Sequence, residues 1–182
     1  MEHLSKVVWR NSQSPIVCDE ATSLQDWAFQ TTGAHLRWEV VGLIFSAIGL
    51  LSGSLSGWDA VFASEGGRIE DRRHMLTMML TLVDECIALS GLCGSRNDLL
   101  VCLLYESTLL LERTKGDLSS EAWLRMGEAC DTAIMLGFHR EKRGNHQTPF
   151  YLCELRIRLF DQIYCHDKFL STYLGRPPRI SY

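Results

Sequence analysis

Cys165 and His166 stand side by side, and a thiol next to an imidazole is the first place in this chain to look for a nucleophile and its base. Geometry defeats the pairing. Both residues lie in a long helical pattern, where neighbours point about 100° apart and cannot form that hydrogen bond. His166 therefore reads as a satisfied or solvent-facing histidine, and His139 and His146 offer no better start for catalysis. The acidic pairs Glu70-Asp71 and Asp84-Glu85 lack the spacing of a diphosphate-binding aspartate motif and of the Glu-x-x-His di-iron pattern. They read as helix-start charges and a wet face. The chain has no Gly-rich phosphate loop and no G-x-S-x-G elbow.

Cysteine usage points the same way. The chain has seven cysteines, an odd number, and no C-x-x-C pair. Cys86, Cys102, Cys130, Cys153 and Cys165 fall inside apolar helical patterns, as core thiols of a reducing compartment do. No catalytic, cofactor-binding or metal-ligating residue is nominated. The run His139-Arg140-Glu141-Lys142-Arg143 is basic enough to touch phosphate but reads as a solvated loop. Met75, Met78 and Met79 suit core filling better than an adaptable ligand pocket. Trp123-x-x-Met126-Gly127-x-x-Cys130 loosely matches a tetratricopeptide pattern once, with no second copy about 34 residues away. Gly127 is expected instead to let two helices approach closely.

The residues that break a pattern are Arg156 and Asp167. From Thr148 to Ile180 the chain reads as an amphipathic helix of roughly seven turns with a stop signal behind it. Thr148 is placed as the cap, Pro149 at the first helical position and Gly175 at the left-handed end, with Pro177 and Pro178 forbidding continuation. Leu152, Leu159, Phe160, Ile163, Leu170 and Leu174 share one face, and Glu154, Arg158, Asp161 and Lys168 lie opposite. Arg156 and Asp167 project into the apolar face, where an unpaired charge is costly, so each needs a partner. Eleven residues of helix separate them by roughly 16 Å, too far for a direct bond. For Asp167 the near candidates are Arg176 and Arg179, carried back by the turn at Gly175. The resulting picture is a structural latch, a buried polar tie that fixes how the last helix meets its neighbours.

These residues also carry a resemblance. Arg156-Ile-Arg158-Leu-Phe160, Tyr164, Asp167-Lys168-Phe-Leu170-Ser171 and Leu174-Gly175-Arg176-Pro177-Pro178 together resemble the signature of the fungal-specific transcription factor domain. That domain is the middle homology region lying downstream of a Zn2Cys6 cluster in fungal regulators. Leu36-Arg-Trp38-Glu39 leading into Gly42-Leu-Ile-Phe45, and Trp123-Leu-Arg-Met-Gly127 leading to Leu136-Gly137-Phe138-His139-Arg140, agree with it in the same order. The resemblance runs from about Ala34 to Tyr182. It implies a nuclear, non-enzymatic module that modulates transcription by RNA polymerase II through effector sensing or interdomain contacts. The implied partners are a small-molecule effector or protein co-regulator, with a homodimer as a further state. Zinc and DNA would enter only through an upstream cluster absent from this chain, and no membrane is involved. The chain stops just after Arg-Pro-Pro, where the family domain carries on, which fits a fragment whose last helix lacks part of its cover. The rival readings are a helical-hairpin scaffold unrelated to transcription and an all-α enzyme.

Composition bounds the fold. The chain has 182 residues, 46% hydrophobic and 22% charged, with a net charge of −4, enough for one core and without the basic footprint that drives phosphate binding. Residues 1–22 show no sustained period and read as an extended or partly disordered lead-in to a domain spanning 23–182. Leu24, Trp27 and Ala28 suggest a short helix. Thr31 or Thr32 then caps a helix from about Ala34 to Leu51, apolar nearly all round and expected to be central. Its run Val40 to Leu51 imitates a membrane span but reads as a core helix. Gly and Ser at 52–57 and Gly66-Gly67 suggest loops. Further helices are expected from Glu70 to Gly91, after Asn97, and from Ser119 or Ser120 to Gly137, the last two forming an antiparallel hairpin. The expected fold is all-α, about six helices arranged as hairpins around a central apolar helix.

Overall fold

Seven α-helices and no strand occur among the described residues of the computed structural model, which are 2–56, 69–142 and 148–181. In chain order they are α1 (Glu2–Gln13), α2 (Leu24–Phe29), α3 (Trp38–Ser54), α4 (Ile69–Leu92), α5 (Asp98–Lys115), α6 (Ser120–Met135) and α7 (Phe150–Leu174). The single all-α domain expected from periodicity is what forms. The loop expected at Gly66-Gly67, Arg143 of the basic run, His146 and Tyr182 lie outside the described residues.

Most boundaries follow local chemistry. Ser23 and Asp26 close a reciprocal capping box on α2. Asn97 caps α5 by accepting from Leu100 N, and Ser119 caps α6 by accepting from Ala122 N. Gly175, at φ 62°, ends α7. Other boundaries differ from expectation. Residues 2–13 are helical rather than extended, because the carbonyls at the end of α1 are satisfied by a side chain from far along the chain. Thr32 precedes only a 3-10 turn, Gly33–His35, and extended Arg37 delays α3 until Trp38. At its other end α3 continues through Ser54 into the Gly/Ser stretch expected to be a loop. Pro149 takes the capping position, with Phe150 as the first helical residue, and no side chain caps α7. Thr148 does not serve as its cap.

The helix at the centre is α5, not α3. Its Leu100, Val101 and Leu104 join Met126, Ala129, Cys130, Phe160 and Ile163 in one apolar cluster, between α5, α6 and α7. Its Leu103, Leu110 and Leu111 join Leu76, Met79, Leu80 and Val83 in a second, against α4. Two apolar faces on one helix require cover on both sides, which α6 and α7 supply on one and α4 on the other.

Against this wall α3 packs through its small residues. Gly42, Ser46, Gly49, Ser52 and Gly53 are buried, whereas Ile44, Ile48 and Leu51 are exposed. A methyl at Gly42 would lie 2.7 Å from Leu103 Cδ2 and 3.0 Å from Cys86 Cβ, and one at Gly49 2.7 Å from Leu110 Cδ1. Uniform apolarity thus signalled a helix that trades side-chain volume for close backbone approach. Arg72–Leu92 is long and apolar enough to cross a bilayer by length and composition, but Leu76, Met79, Leu80, Val83 and Cys86 within it are core residues.

Filling the closest approach should be costly. Gly42→Val is expected to lower unfolding free energy by about 1–3 kcal/mol through overpacking. Gly91→Ala, with nothing within 4 Å of the added methyl, should be neutral or slightly stabilising. Urea midpoints of both variants check the contrast.

Candidate functional site

The start of α5 gathers two charge systems on adjacent residues, one buried and one half-buried. Asn97 holds the first. Its Nδ2 donates to Glu39 Oε1 at 2.6 Å while its Oδ1 caps the helix. Glu39 is fully buried and also accepts from Ser95 Oγ, from Ser12 Oγ at 3.4 Å and from Arg37 Nη2 at 3.4 Å. Arg37, itself 3% exposed, donates to the carbonyls of Asn11 at 2.6 Å, Ser14 at 2.8 Å and Ser12 at 3.0 Å. A guanidinium among those last carbonyls satisfies them and opposes the negative end of the α1 dipole. Thus α1, α3 and α5 are tied through one Arg-Glu pair.

Asp98, the next residue, holds the second system. Arg156 donates from Nε to Asp98 Oδ1 at 2.5 Å and from Nη2 to Oδ2 at 3.1 Å, a bidentate pair, and from Nη1 to Glu141 Oε2 at 3.0 Å. Its guanidinium also lies over the Phe138 ring, 5.6 Å from the centroid. Burial pushes the Arg156 pKa down, but hydrogen bonds to and the charges of Asp98 and Glu141 outweigh it and hold the group above its ordinary value. The expected partner for Arg156 therefore exists, and it fastens α7 to α5 and to the segment after α6.

Between the two systems opens a cleft of about 530 Å³. Residues 12–16 and Cys18, Trp27, residues 94–98 and the start of α7 with Arg156 line it. Trp27 is braced by Tyr151, their ring centroids 6.2 Å apart. Burial, reinforced by the charge of Asp98 and opposed by Arg156, pushes the Cys18 thiol up, so it is a poor nucleophile at neutral pH.

Asp167 belongs to a separate tie. It is 1% exposed, and its carboxylate accepts from Arg179 N at 3.1 Å and Ile180 N at 3.0 Å. Lys168 Nζ donates to the Ile180 carbonyl, and Ile180 is buried in the core. The segment after Gly175 is thereby strapped back along α7. The side chains of Arg176 and Arg179, expected to pair with Asp167, lie instead over the Trp123 ring, at 4.5 and 4.8 Å from its centroid. Two successive amides satisfy both carboxylate oxygens without burying a second charge. Arg176 also reaches Ser120 Oγ at 3.3 Å. At Gly127 an added methyl would lie 2.8 Å from Arg179 Cζ. This glycine makes room for a guanidinium, which corrects its expected role between helices.

The remaining candidates fall outside both systems. Arg158 has a side chain 75% exposed and pairs with Glu154 at 3.3 Å. Pro177 and Pro178 are exposed in the strap. His166 is indeed satisfied, by Glu112 at 2.7 Å. Met79 is core, while Met78 is 40% exposed. Burial pushes the Cys86 thiol up to about 11 and those of Cys102 and Cys130 to about 12, values that suit core thiols, whereas Cys165, expected among them, is exposed because it lies on the outer face of α7. Among the described residues no group of three or more His, Cys, Asp or Glu side chains is placed to hold a metal ion. Sequence reasoning missed Asn97 and Asp98 as tie residues, Glu39 and Arg37 as a buried pair, Glu141, and Trp123 as the platform for two arginines. An acid at the start of an apolar helix was the available signal for Glu39.

An all-helical domain whose buried charges act as ties between helices is the class this geometry defines. Residues 99–182 match the family model of the fungal specific transcription factor domain, consistent with the resemblance that the signature carries. The match takes in the Trp123–Gly127 stretch, Leu136–Arg140 and the whole signature from Arg156 to Pro178. Leu36–Glu39 lies outside it, yet packs on its first helix. No curated protein and no solved structure matches the chain.

Both ties should be costly to break. Asp167→Ala leaves two amides without their acceptor and should cost about 2–4 kcal/mol, lowering the melting temperature by several degrees. Arg156→Ala leaves Asp98 and Glu141 facing each other and should cost a similar ~2–4 kcal/mol, whereas Arg158→Ala should cost under about 0.5 kcal/mol. Thermal melts of the three variants test the ranking.

Proposed function

We propose that the chain is a non-enzymatic regulatory module of a fungal transcription factor, which modulates transcription by RNA polymerase II in the nucleus. The family match supports the regulatory role. The observation that carries the mechanism is the meeting of two charge systems, one buried and one half-buried, on Asn97 and Asp98 beside an open cleft. One system holds the N-terminal segment to α5, and the other holds α7. A small-molecule effector or a protein co-regulator touching both walls would favour one packing of these elements over another, which is what a regulatory input requires. On this reading the side chains hold position and perform no reaction, and zinc and DNA belong to an upstream cluster. A second copy of the chain is a further partner. A helical-hairpin scaffold unrelated to transcription is the reading the family match weighs against.

Tethering the chain to a heterologous DNA-binding domain in a fungal reporter strain tests this. The wild-type chain should change reporter output at least severalfold over the tether alone. The Asp98→Ala/Arg156→Ala double variant should alter that response at equal protein abundance, while Arg158→Ala should leave it unchanged. Output equal to that of the tether alone would sink the proposal.

A further inference from the structure

The outer side of α5 is left uncovered between the two helices that take its flanks. On one flank α3 packs on Leu103 and Leu110 through Gly42 and Gly49. On the other, His166 of α7 bonds Glu112 at 2.7 Å and sets its ring edge-on to Tyr105, with centroids 5.9 Å apart. Successive residues of a helix point about 100° apart, so Cys102, Tyr105, Glu106 and Leu109 share the side between these flanks. All four are only partly covered. They form the floor of a trough. One wall carries the exposed Ala47 and Leu50, which lines a common cavity with Leu109. The other carries His166 and the exposed Phe169 and Tyr173, whose ring centroids are 4.5 Å apart. None of these residues lines the cleft at the start of α5.

Glu106 is the exception on this floor. It is half-buried and makes no ion pair and no side-chain hydrogen bond among the described residues, and burial pushes its carboxyl above the ordinary value. Glu112, by contrast, is answered by His166. Arg113 is exposed and roughly 10 Å further along the axis, too far to answer Glu106. This carboxylate selects what can cover the trough. An uncharged helix would seal it from water unpaired, which is costly. A second copy applying the same face would set another Glu106 against it, and an anionic lipid surface would be repelled in the same way. A helix with hydrocarbon for both walls and one cation for the acid meets every demand. Walls at ordinary helix-packing distance on both flanks leave room for one such rod, about 10 Å across. We propose that the trough over α5 docks an amphipathic helix of a partner protein, whose apolar face carries a single lysine or arginine that pairs with Glu106. The surface is separate from the cleft, and the proposal goes beyond the regulatory reading without depending on it.

The test is a selection against the full chain from a phage-displayed library of amphipathic helices about four turns long, leucine-faced except for one randomised central position. Lysine or arginine should dominate that position. The selected helices should bind Glu106→Gln about tenfold or more weakly than wild type, the loss of a charge-assisted pair at a partly covered site. The charge reversal Glu106→Lys should select aspartate or glutamate instead. Ala47→Glu and Phe169→Glu, on opposite walls, should each abolish capture, and because both side chains are exposed the melting temperatures should match wild type. A library that enriches no basic residue, or one that gives the same residue with Glu106→Lys, would overturn the proposal. So would a full chain that sediments as a dimer, or floats with phosphatidylcholine/phosphatidylserine vesicles, in a manner abolished by Phe169→Glu, since a second copy or a lipid surface would then be the occupant. The selection is read independently of the reporter response, so its failure leaves the regulatory module standing and a silent reporter leaves the docking surface standing.

Discussion

The structure depends on what two adjacent residues do at the start of one helix. Asn97 caps α5 and in the same stroke gives Glu39 a donor, while Asp98 takes the Arg156 fork. An ion taken out of water costs several kcal/mol unless its remaining donors or acceptors are filled. Here Glu39 is surrounded by Ser12, Arg37, Ser95 and Asn97, and Arg156 by Asp98, Glu141 and the Phe138 ring. Each system assembles only when elements distant in sequence are docked together. Buried charge therefore specifies one arrangement of helices that hydrophobic burial, being non-directional, would leave loosely defined.

The apolar packing complements this. α5 has hydrocarbon on two faces and separates two core clusters, so its neighbours are pinned on both sides. α3 meets it through Gly42 and Gly49, where an added Cβ would crowd the side chains of Leu103 and Leu110, leaving Ile44, Ile48 and Leu51 outside. At the far end of α7 the strap is fastened by different physics. Backbone amides satisfy Asp167, and the two arginines released from that duty cover the faces of Trp123. Rigid ties thus bracket α7 near both ends, and the cleft at its start lies between the tie to α5 and the one to α1.

How far this was legible varied with the range of the interaction responsible. Asn97, Ser119 and Gly175 act on their own turns, and their roles were readable because capping is local. That Arg156 and Asp167 need partners was also readable, since a charge on an apolar face is an anomaly in one dimension. Their partners were not. Asp98 and Glu141 look like ordinary helix-start and loop acids, and a carboxylate gives no sign that it will choose amides over guanidinia. α1 was missed because the group that completes its C-terminus, Arg37, lies beyond an intervening helix. α3 was misplaced at the centre because periodicity reports which positions are apolar, not whether large or small ones face inward.

What the chain order alone determined was therefore the all-α class, most helix boundaries, the two misplaced charges and the family likeness. Each rests on propensity, capping or pattern within a few turns of chain. Tertiary structure decided which acid meets which base, which helix stands in the middle, and that a cleft opens beside them. Those outcomes depend on distances between segments tens of residues apart, which exist only once the helices have packed.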